Sequence, residues 1–469
     1  MKDRAAETRI FEQYPIAKAV LALAIPTVIG QIILVIYNMA DTFFIGLAGS
    51  DAMITAVTVC MPAFMFLSAI SNLFGIGGAG VISRALGAHD VDRARRTAGF
   101  AFWGCVAVTL AYAVAARLFM DAFVDLLGGS DPAVHGDACR YLTWTVALGG
   151  LGTSLNALLG HLVRSEGHSV QASFGIALGG VLNIALDPLF MFVILPRGSE
   201  VVGAAIATAL ANLIAALYFF ALIFHNRKKS VISLKPRAAS LRGGIPGEVL
   251  STGLPACLMT LCENISYAIL DNLMALSGTV MQAGIGVAKK VNMLAHCMAR
   301  GMAQGVLPLI GYNFASGNHR RMKSAVLIST GISVGLATAC MAASLLFSRS
   351  MIGLFIQHDT GSVGYGAAFL RILCVGGPFS ACAYAFISFF QATGESWKSF
   401  LLAILRKGIL DIPMMFLLLN AIPVYGIVWA TPIADVLCCA TAIAKFAGFL
   451  RGLDHGCVPA ARIAPVAQE

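Results

Sequence analysis

The stretch Leu182-Asn183-Ile184-Ala185-Leu186-Asp187-Pro188-Leu189-Phe190 decides how the rest of the chain is read. It sits inside an apolar run from Ala172 to Leu195, long enough to cross a hydrocarbon core of about 30 Å. An ionised Asp at the centre of such a helix is disfavoured by about 2.5–3.5 kcal/mol on insertion scales, so Asp187 is expected to face protein or trapped water rather than lipid. Asn183 comes four residues earlier, which places an amide on nearly the same helix face. Pro188 has no N–H and clashes with the preceding turn, so the helix is expected to bend or open beside the carboxylate. A buried Asp bonded only to a neighbouring helix would also fit, but intramembrane carboxylates usually mark ion or substrate pathways.

Composition places this run in context. The 469 residues are 58% hydrophobic and 12% charged, far more apolar than a soluble domain. Runs of that length recur along the whole chain with short polar gaps, which identifies a polytopic membrane protein. The net charge of +9 comes from basic residues in alternate loops, the pattern of the positive-inside rule rather than of a nucleic-acid partner. The 12 cysteines lie mostly in apolar runs, among them Cys60, Cys105 and Cys257, with no Cys-x-x-Cys pair. They read as small buried hydrophobes rather than disulfides or zinc ligands. The first apolar run, Ile16 to Ile45, is too long for a cleavable signal. There is no Gly-x-x-x-x-Gly-Lys-Ser/Thr phosphate loop, no catalytic triad and no evident metal cluster. An ion-driven device is expected, with no cofactor beyond its coupling ion.

Hydropathy and punctuation suggest about twelve helices: 16–45, 53–80, 96–124, 132–160, 168–195, 201–225, 245–277, 280–312, 322–356, 361–393, 398–420 and 424–450. Lys2, Arg4 and Arg9, then Arg84, Arg93, Arg95 and Arg96, the basic linker from Asn226 to Gly247, Arg320, Arg321 and Lys323, and Arg451 and Arg462 fall in one set of loops. That asymmetry places both termini in the cytoplasm, in agreement with an even number of crossings. The linker is also the midpoint of an internal repeat. Ile25-Pro26 recurs as Leu254-Pro255, Ala48-Gly49 as Ser277-Gly278, Gly87-Ala88-His89-Asp90 as Ser316-Gly317-Asn318-His319, Glu166-Gly167 as Thr393-Gly394, Asp187-Pro188 loosely as Asp411-Ile412-Pro413, and Val202-Gly203 as Tyr425-Gly426. The offset drifts from about 229 to about 223 residues. Six helices per half keep both repeats in the same sense, so two lobes, 1–240 with the linker near 226–247 and 241–469, are expected about a pseudo-two-fold axis along the membrane normal.

With the repeat established, the motifs become informative together. Pro26 with Tyr37-Asn38-Met39-Ala40-Asp41-Thr42-Phe43-Phe44-Ile45-Gly46, then Gly75-Ile76-Gly77-Gly78-Ala79-Gly80 and Ser83-Arg84-Ala85-Leu86-Gly87, Arg164-Ser165-Glu166-Gly167, the Asp187 stretch, Gly203-Ala204-Ala205-Ile206-Ala207-Thr208 and Pro308-Leu309-Ile310-Gly311-Tyr312-Asn313 resemble the multidrug and toxic compound extrusion (MATE) family. The similarity is greatest to its bacterial branch with coupling carboxylates in the N-terminal lobe, and it runs from about Ile16 to Leu450. The resemblance implies two six-helix lobes, a cleft between them, and export of organic cations in exchange for protons or sodium. It implies that Asp41, Asn183, Asp187 and Thr208 form the N-lobe cation or proton site. If the first, fifth and sixth helices meet, these four supply only oxygen ligands, as hard cations prefer. Two carboxylates brought together also raise one another's proton affinity, so H+ and Na+ both remain open.

Pro26 is the candidate hinge, since proline inside a long helix removes a backbone bond. In the second half, Glu263, Asp271, Lys289, Lys290 and Arg300 populate the seventh and eighth helices, and Glu263 with Lys289 or Lys290 is a candidate structural ion pair or charge site. Glu263 matches a functional acid of some family members, whereas the carboxylate that those members carry on the tenth helix is missing near Cys382. His296 is read as a packed or hydrogen-bonded core residue. The 18 Met and 28 Phe offer deformable walls for lipophilic cations. The expected protein is a monomeric multi-pass antiporter of the cytoplasmic membrane, in contact with lipid and small-molecule cations. The alternative is a flippase of lipid-linked or polysaccharide precursors, which would want a cationic cleft for phosphate.

Overall fold

The computed structural model describes residues 9–47, 51–356 and 360–454. Lys2, Arg4 and Arg462 of the topology argument and Ala48-Gly49 of the repeat lie outside the described residues. Among the described residues the fold is all-α, with twelve long helical segments. These are α1 (Ile16–Leu47), α2 (Asp51–Gly87), α3 (Val91–Leu118), α4 (132–165), α5 (169–194), α6 (Glu200–His225), α7 (Ile245–Ser277), α8 (Thr279–Ala315), α9 (His319–Gly353), α10 (360–393), α11 (396–421) and α12 (Tyr425–Asp454). Most limits follow those read from hydropathy to within about four residues, but α2 runs on to Gly87 rather than 80, α3 spans Val91–Leu118 rather than 96–124, and α4 runs on to 165 rather than 160.

Local chemistry explains the starts. Asp90 accepts from the Arg93 N–H at 2.8 Å to begin α3, and Asn318 accepts from the Arg321 N–H at 3.1 Å to begin α9. These N-caps satisfy donors that the helix itself cannot. Asp131 does the same for α4, with Pro132 at the first position. The interruptions are equally local. α4 changes to a π-helical turn over Thr143–Leu148 and bends by 47°, and α10 bends by 42° beside Gly376-Gly377-Pro378. The opening expected at Pro188 is a π-helical turn over Leu189–Ile194, and α11 carries another over Leu405–Asp411. Such turns release backbone groups and re-aim side chains, often at functional positions.

Eight of the segments are apolar and long enough to cross a bilayer, or ten if each bent pair counts as one span. The remaining two are α8 and α11. They carry Lys289, Lys290 and Arg300, and Lys398, Arg406, Lys407 and Asp411.

By contacts the chain forms two compact units: one holds Ile33–Cys257, the other Phe11–Ile32 together with the chain from Leu258 onward. The expected boundary at 240 therefore falls inside the first unit, and the N-terminal parts of α1 and α7 each belong with the opposite half of the sequence. Glycine makes this packing tight. In the first unit, a Cβ at Gly253 of α7 would overlap the Leu73 carbonyl of α2, and one at Gly77 would overlap the Val249 carbonyl. In the second, a Cβ at Gly301 of α8 would come to 2.7 Å from Val28 Cα of α1.

The same exchange explains two motifs. Arg84 reaches Thr252 at 3.4 Å and Arg93 pairs with Glu248 at 2.6 Å, fixing the start of α7. Tyr312 stacks on buried Phe11 at 5.1 Å and donates to Glu12, while Arg321 donates to the Phe11 and Tyr14 carbonyls at 2.7 and 2.6 Å. The motif residues Arg84 and Tyr312 thus dock the first turns of α7 and the segment that leads into α1.

Candidate functional site

In the first unit Asp187 is the penultimate residue of the α-helical part of α5 and is 0% exposed. Asn183, one turn before it, donates through Nδ2 to Asp187 Oδ1 and to Thr208 Oγ1 of α6, each at 3.1 Å. The amide thus joins all three residues. The polar line continues along α6, where Asn212 Nδ2 donates to the Thr208 carbonyl at 2.9 Å, and reaches α4, where Asn156 Nδ2 donates to Asn212 Oδ1 at 3.0 Å. Asp41, on the C-terminal part of α1, is buried and within electrostatic reach of Asp187. Tyr37 and Tyr141 lie within the influence of both carboxylates. All four residues proposed from the sequence are therefore buried in one unit, and three are joined directly by hydrogen bonds.

Asp187 Oδ2 and Asn183 Oδ1 are buried with no hydrogen-bond partner. A buried acceptor without a donor is costly. A proton on the carboxyl, or a hard cation held by oxygen ligands, relieves that cost. The donor set fits either. Tyr141, Asn156 and Asn212 carry no signal in the sequence, because none lies one helical turn from Asp41 or Asp187; Tyr37 enters there only as part of a motif.

The second unit carries a corresponding constellation with a different charge. Lys407 of α11 donates to Asp411 Oδ2 at 2.7 Å, Thr431 of α12 to Asp411 Oδ1 at 2.9 Å, and Ser266 of α7 to Asp411 Oδ2 at 2.6 Å. In the repeat register Asp411 matches Asp187, Thr431 matches Thr208, and Lys407 stands where Asn183 stands. An ammonium occupies the place of the amide, so the acid comes with its own cation. In the sequence Asp411 stands out only through the repeat, yet Lys407 precedes it by the same four residues that separate Asn183 from Asp187.

Around this core the expected pairings change. Glu263 pairs with Arg300 at 2.7 Å and accepts from the Tyr384 hydroxyl at 3.2 Å. Lys289, proposed with Lys290 as its partner, pairs instead with Asp271. The reason is spacing along α8: Arg300 lies three helical turns beyond Lys289, at the level of Glu263, while Lys289 lies at the level of Asp271. Arg406 pairs with Asp435 at 2.7 Å, both essentially unexposed, with its guanidinium 4.3 Å from the Tyr384 ring centroid. The carboxylates of this half thus include Asp411 and Asp435 on α11 and α12. His296 is buried and hydrogen-bonds Ser380 at 2.9 Å, a core histidine.

Three comparisons bear on identity. The MatE family model matches residues 26–189 and 255–417, the two halves of the repeat. The chain is 30% identical over 448 residues to the multidrug export protein MepA of Staphylococcus aureus (strain MRSA252), covering 94% of this chain and 96% of that protein. The fold matches, with a TM-score of 0.88 at 23% identity over 96% of this chain and 98% of the other, a solved structure of the outward-facing conformation of a multidrug resistance MATE family transporter of the MOP superfamily. It also matches a MOP superfamily transporter from Pyrococcus furiosus Vc1 (DSM3638), described as having a binding pocket of reverse polarity, with a TM-score of 0.86 at 24% identity over 95% and 98% of the two chains. With its repeat halves each matched by the family model and nearly its whole length aligned to MepA, the chain belongs to the MATE family of membrane transporters.

Proposed function

We propose that this protein is a multidrug efflux antiporter that exports lipophilic organic cations in exchange for H+ or Na+, with Asp41, Asn183, Asp187 and Thr208 as its coupling site. The observation that carries the reading is the buried Asp187–Asn183–Thr208 cluster, whose free acceptor oxygens have no protein donor. The multidrug export named for MepA supports the substrate class. In the proposed cycle, ion or proton entry at Asp41 and Asp187 neutralises the acids and changes the conformation of α1. Pro26 is the hinge: α1 passes from one compact unit to the other at Ile32–Ile33, shortly after it. Alternating access then follows from movement of one repeat against the other. The protein works as a multi-pass transporter of the cell membrane with both termini in the cytoplasm.

A lipid-precursor flippase is disfavoured by charge. Arg300, Arg406, Lys407 and Lys289 of the second unit are each matched by a carboxylate, which leaves them little capacity for a phosphate. The test is reconstitution of the purified chain in vesicles with an ethidium-like dye, under an imposed proton gradient and then a sodium gradient. Uptake or extrusion should follow one of the gradients and be lost in Asp41→Asn with Asp187→Asn. Transport that ignores both gradients, or survives the double substitution, would defeat the antiport reading.

A further inference from the structure

We propose that Asp121, His135 and Cys139 form a binding site for a divalent transition-metal ion of the zinc class, in the connection between α3 and α4. The short helix Met120–Leu126 and the first part of α4, Pro132–Leu142, are joined by residues 127–131. Asp121 and Asp125 are separated by four residues on the first helix, and His135 and Cys139 by four on the second, so each pair lies on one helix face. One ligating atom from each of Asp121, His135 and Cys139 lies within 4.8 Å of the other two. Cys139 Sγ is 3.8 Å from Asp121 Oδ1 and 3.7 Å from His135 Nδ1.

Those separations have a specific meaning. Around a tetrahedral ion with bonds of about 2.0–2.3 Å, neighbouring ligand atoms stand roughly 3.3–3.8 Å apart. The sulfur already sits at the edge lengths such an ion sets. The other ring nitrogen, His135 Nε2, lies 3.7 Å from Asp125 Oδ1, longer than a hydrogen bond but close enough that a small side-chain movement would let this carboxylate orient a metal-bound histidine. A mixed thiolate, imidazole and carboxylate set selects Zn2+ and its neighbours over Mg2+ or Ca2+. A cleft lined by Arg117, Asp121, Cys139, Arg140 and Trp144 adjoins the ligands, so a fourth position stays open to water or an external ligand. His135 and Cys139 are half-buried and Asp121 is exposed, which gives the ion direct entry from solvent. Cys139 thereby departs from the sequence reading of the cysteines as inert hydrophobes: no Cys-x-x-Cys spacing announces a site whose ligands come from two helices. The inference is independent of the coupling residues.

The experiment is titration of the full-length purified protein in detergent, stripped by chelator, with Co2+ and then Zn2+. A Co2+ complex with a sulfur-to-metal charge-transfer band, displaced by Zn2+, is expected. Cys139→Ser should remove the band and His135→Ala the binding, while Asp125→Asn should weaken affinity about 10–100-fold. Zn2+ should also raise the thermal midpoint of the wild type but not of Cys139→Ser. A Co2+ complex without the band, or a band that persists in Cys139→Ser, overturns the assignment.

Discussion

At the scale of the residue, one position separates the two halves of the molecule. Asn183 and Lys407 hold the same register before an intramembrane aspartate, yet one is neutral and the other is a cation. Asp187 is left with an oxygen that no protein donor reaches, whereas Asp411 accepts from Lys407, Ser266 and Thr431. Lys407→Met should therefore destabilise the protein by about 3–5 kcal/mol, because it leaves a buried carboxylate without its counter-charge. Adding Asp411→Leu should recover most of that loss; both effects can be read from thermal midpoints in detergent. Thr208→Val removes an acceptor from the Asn183 amide, costing about 1 kcal/mol. It should lower ion-driven transport while leaving the protein assembled, as measured by vesicle flux and size-exclusion profile.

Elements set how closely such residues meet. α2 and α7 approach through Gly77 and Gly253, where even a methyl group would strike backbone carbonyls that have little room to move. Gly253→Ala should cost about 1–3 kcal/mol or more through overpacking. Gly331→Ala on α9, where an added Cβ meets nothing, should instead be neutral or stabilise the helix by about 0.5–1 kcal/mol. Thermal unfolding of the two variants side by side gives the comparison, and equal midpoints would refute the close-packing argument. The π-helical turns after Pro188 and through Leu405–Asp411 belong to this scale too. Each adjoins an intramembrane acid; the second buries Arg406, Lys407 and Asp411, whereas the first buries only Met191 and turns Phe192, Val193 and Ile194 outward.

For the whole molecule, the telling feature is the passage of α1 and α7 between compact units. It occurs at Ile32–Ile33 and at Cys257–Leu258, shortly after Pro26 and Pro255 respectively. Each proline leaves one carbonyl of the preceding turn without its helical donor, softening the helix near the point of passage. Pro26→Ala should preserve insertion and impair transport, and Pro255→Ala should do the same if the halves act alike. Unimpaired efflux from a normally expressed Pro26→Ala protein would count against the hinge.

Hydropathy with its Gly, Pro and charge punctuation determined the helices, because a twenty-residue apolar run has few ways to satisfy its backbone in a bilayer, and recurring short motifs determined the repeat. The first-unit acids were legible for the same reason: a carboxylate in such a run stands out whatever surrounds it. Tertiary structure decided the partners, since pairing depends on which side chains reach the same level on different helices. Glu263 met Arg300 rather than Lys289 on that account. It also decided that the first parts of α1 and α7 pack away from their own halves of the sequence. Hydrophobic periodicity carries no record of either choice, because close packing at a few glycines and the matching of buried charges operate between segments far apart in the chain.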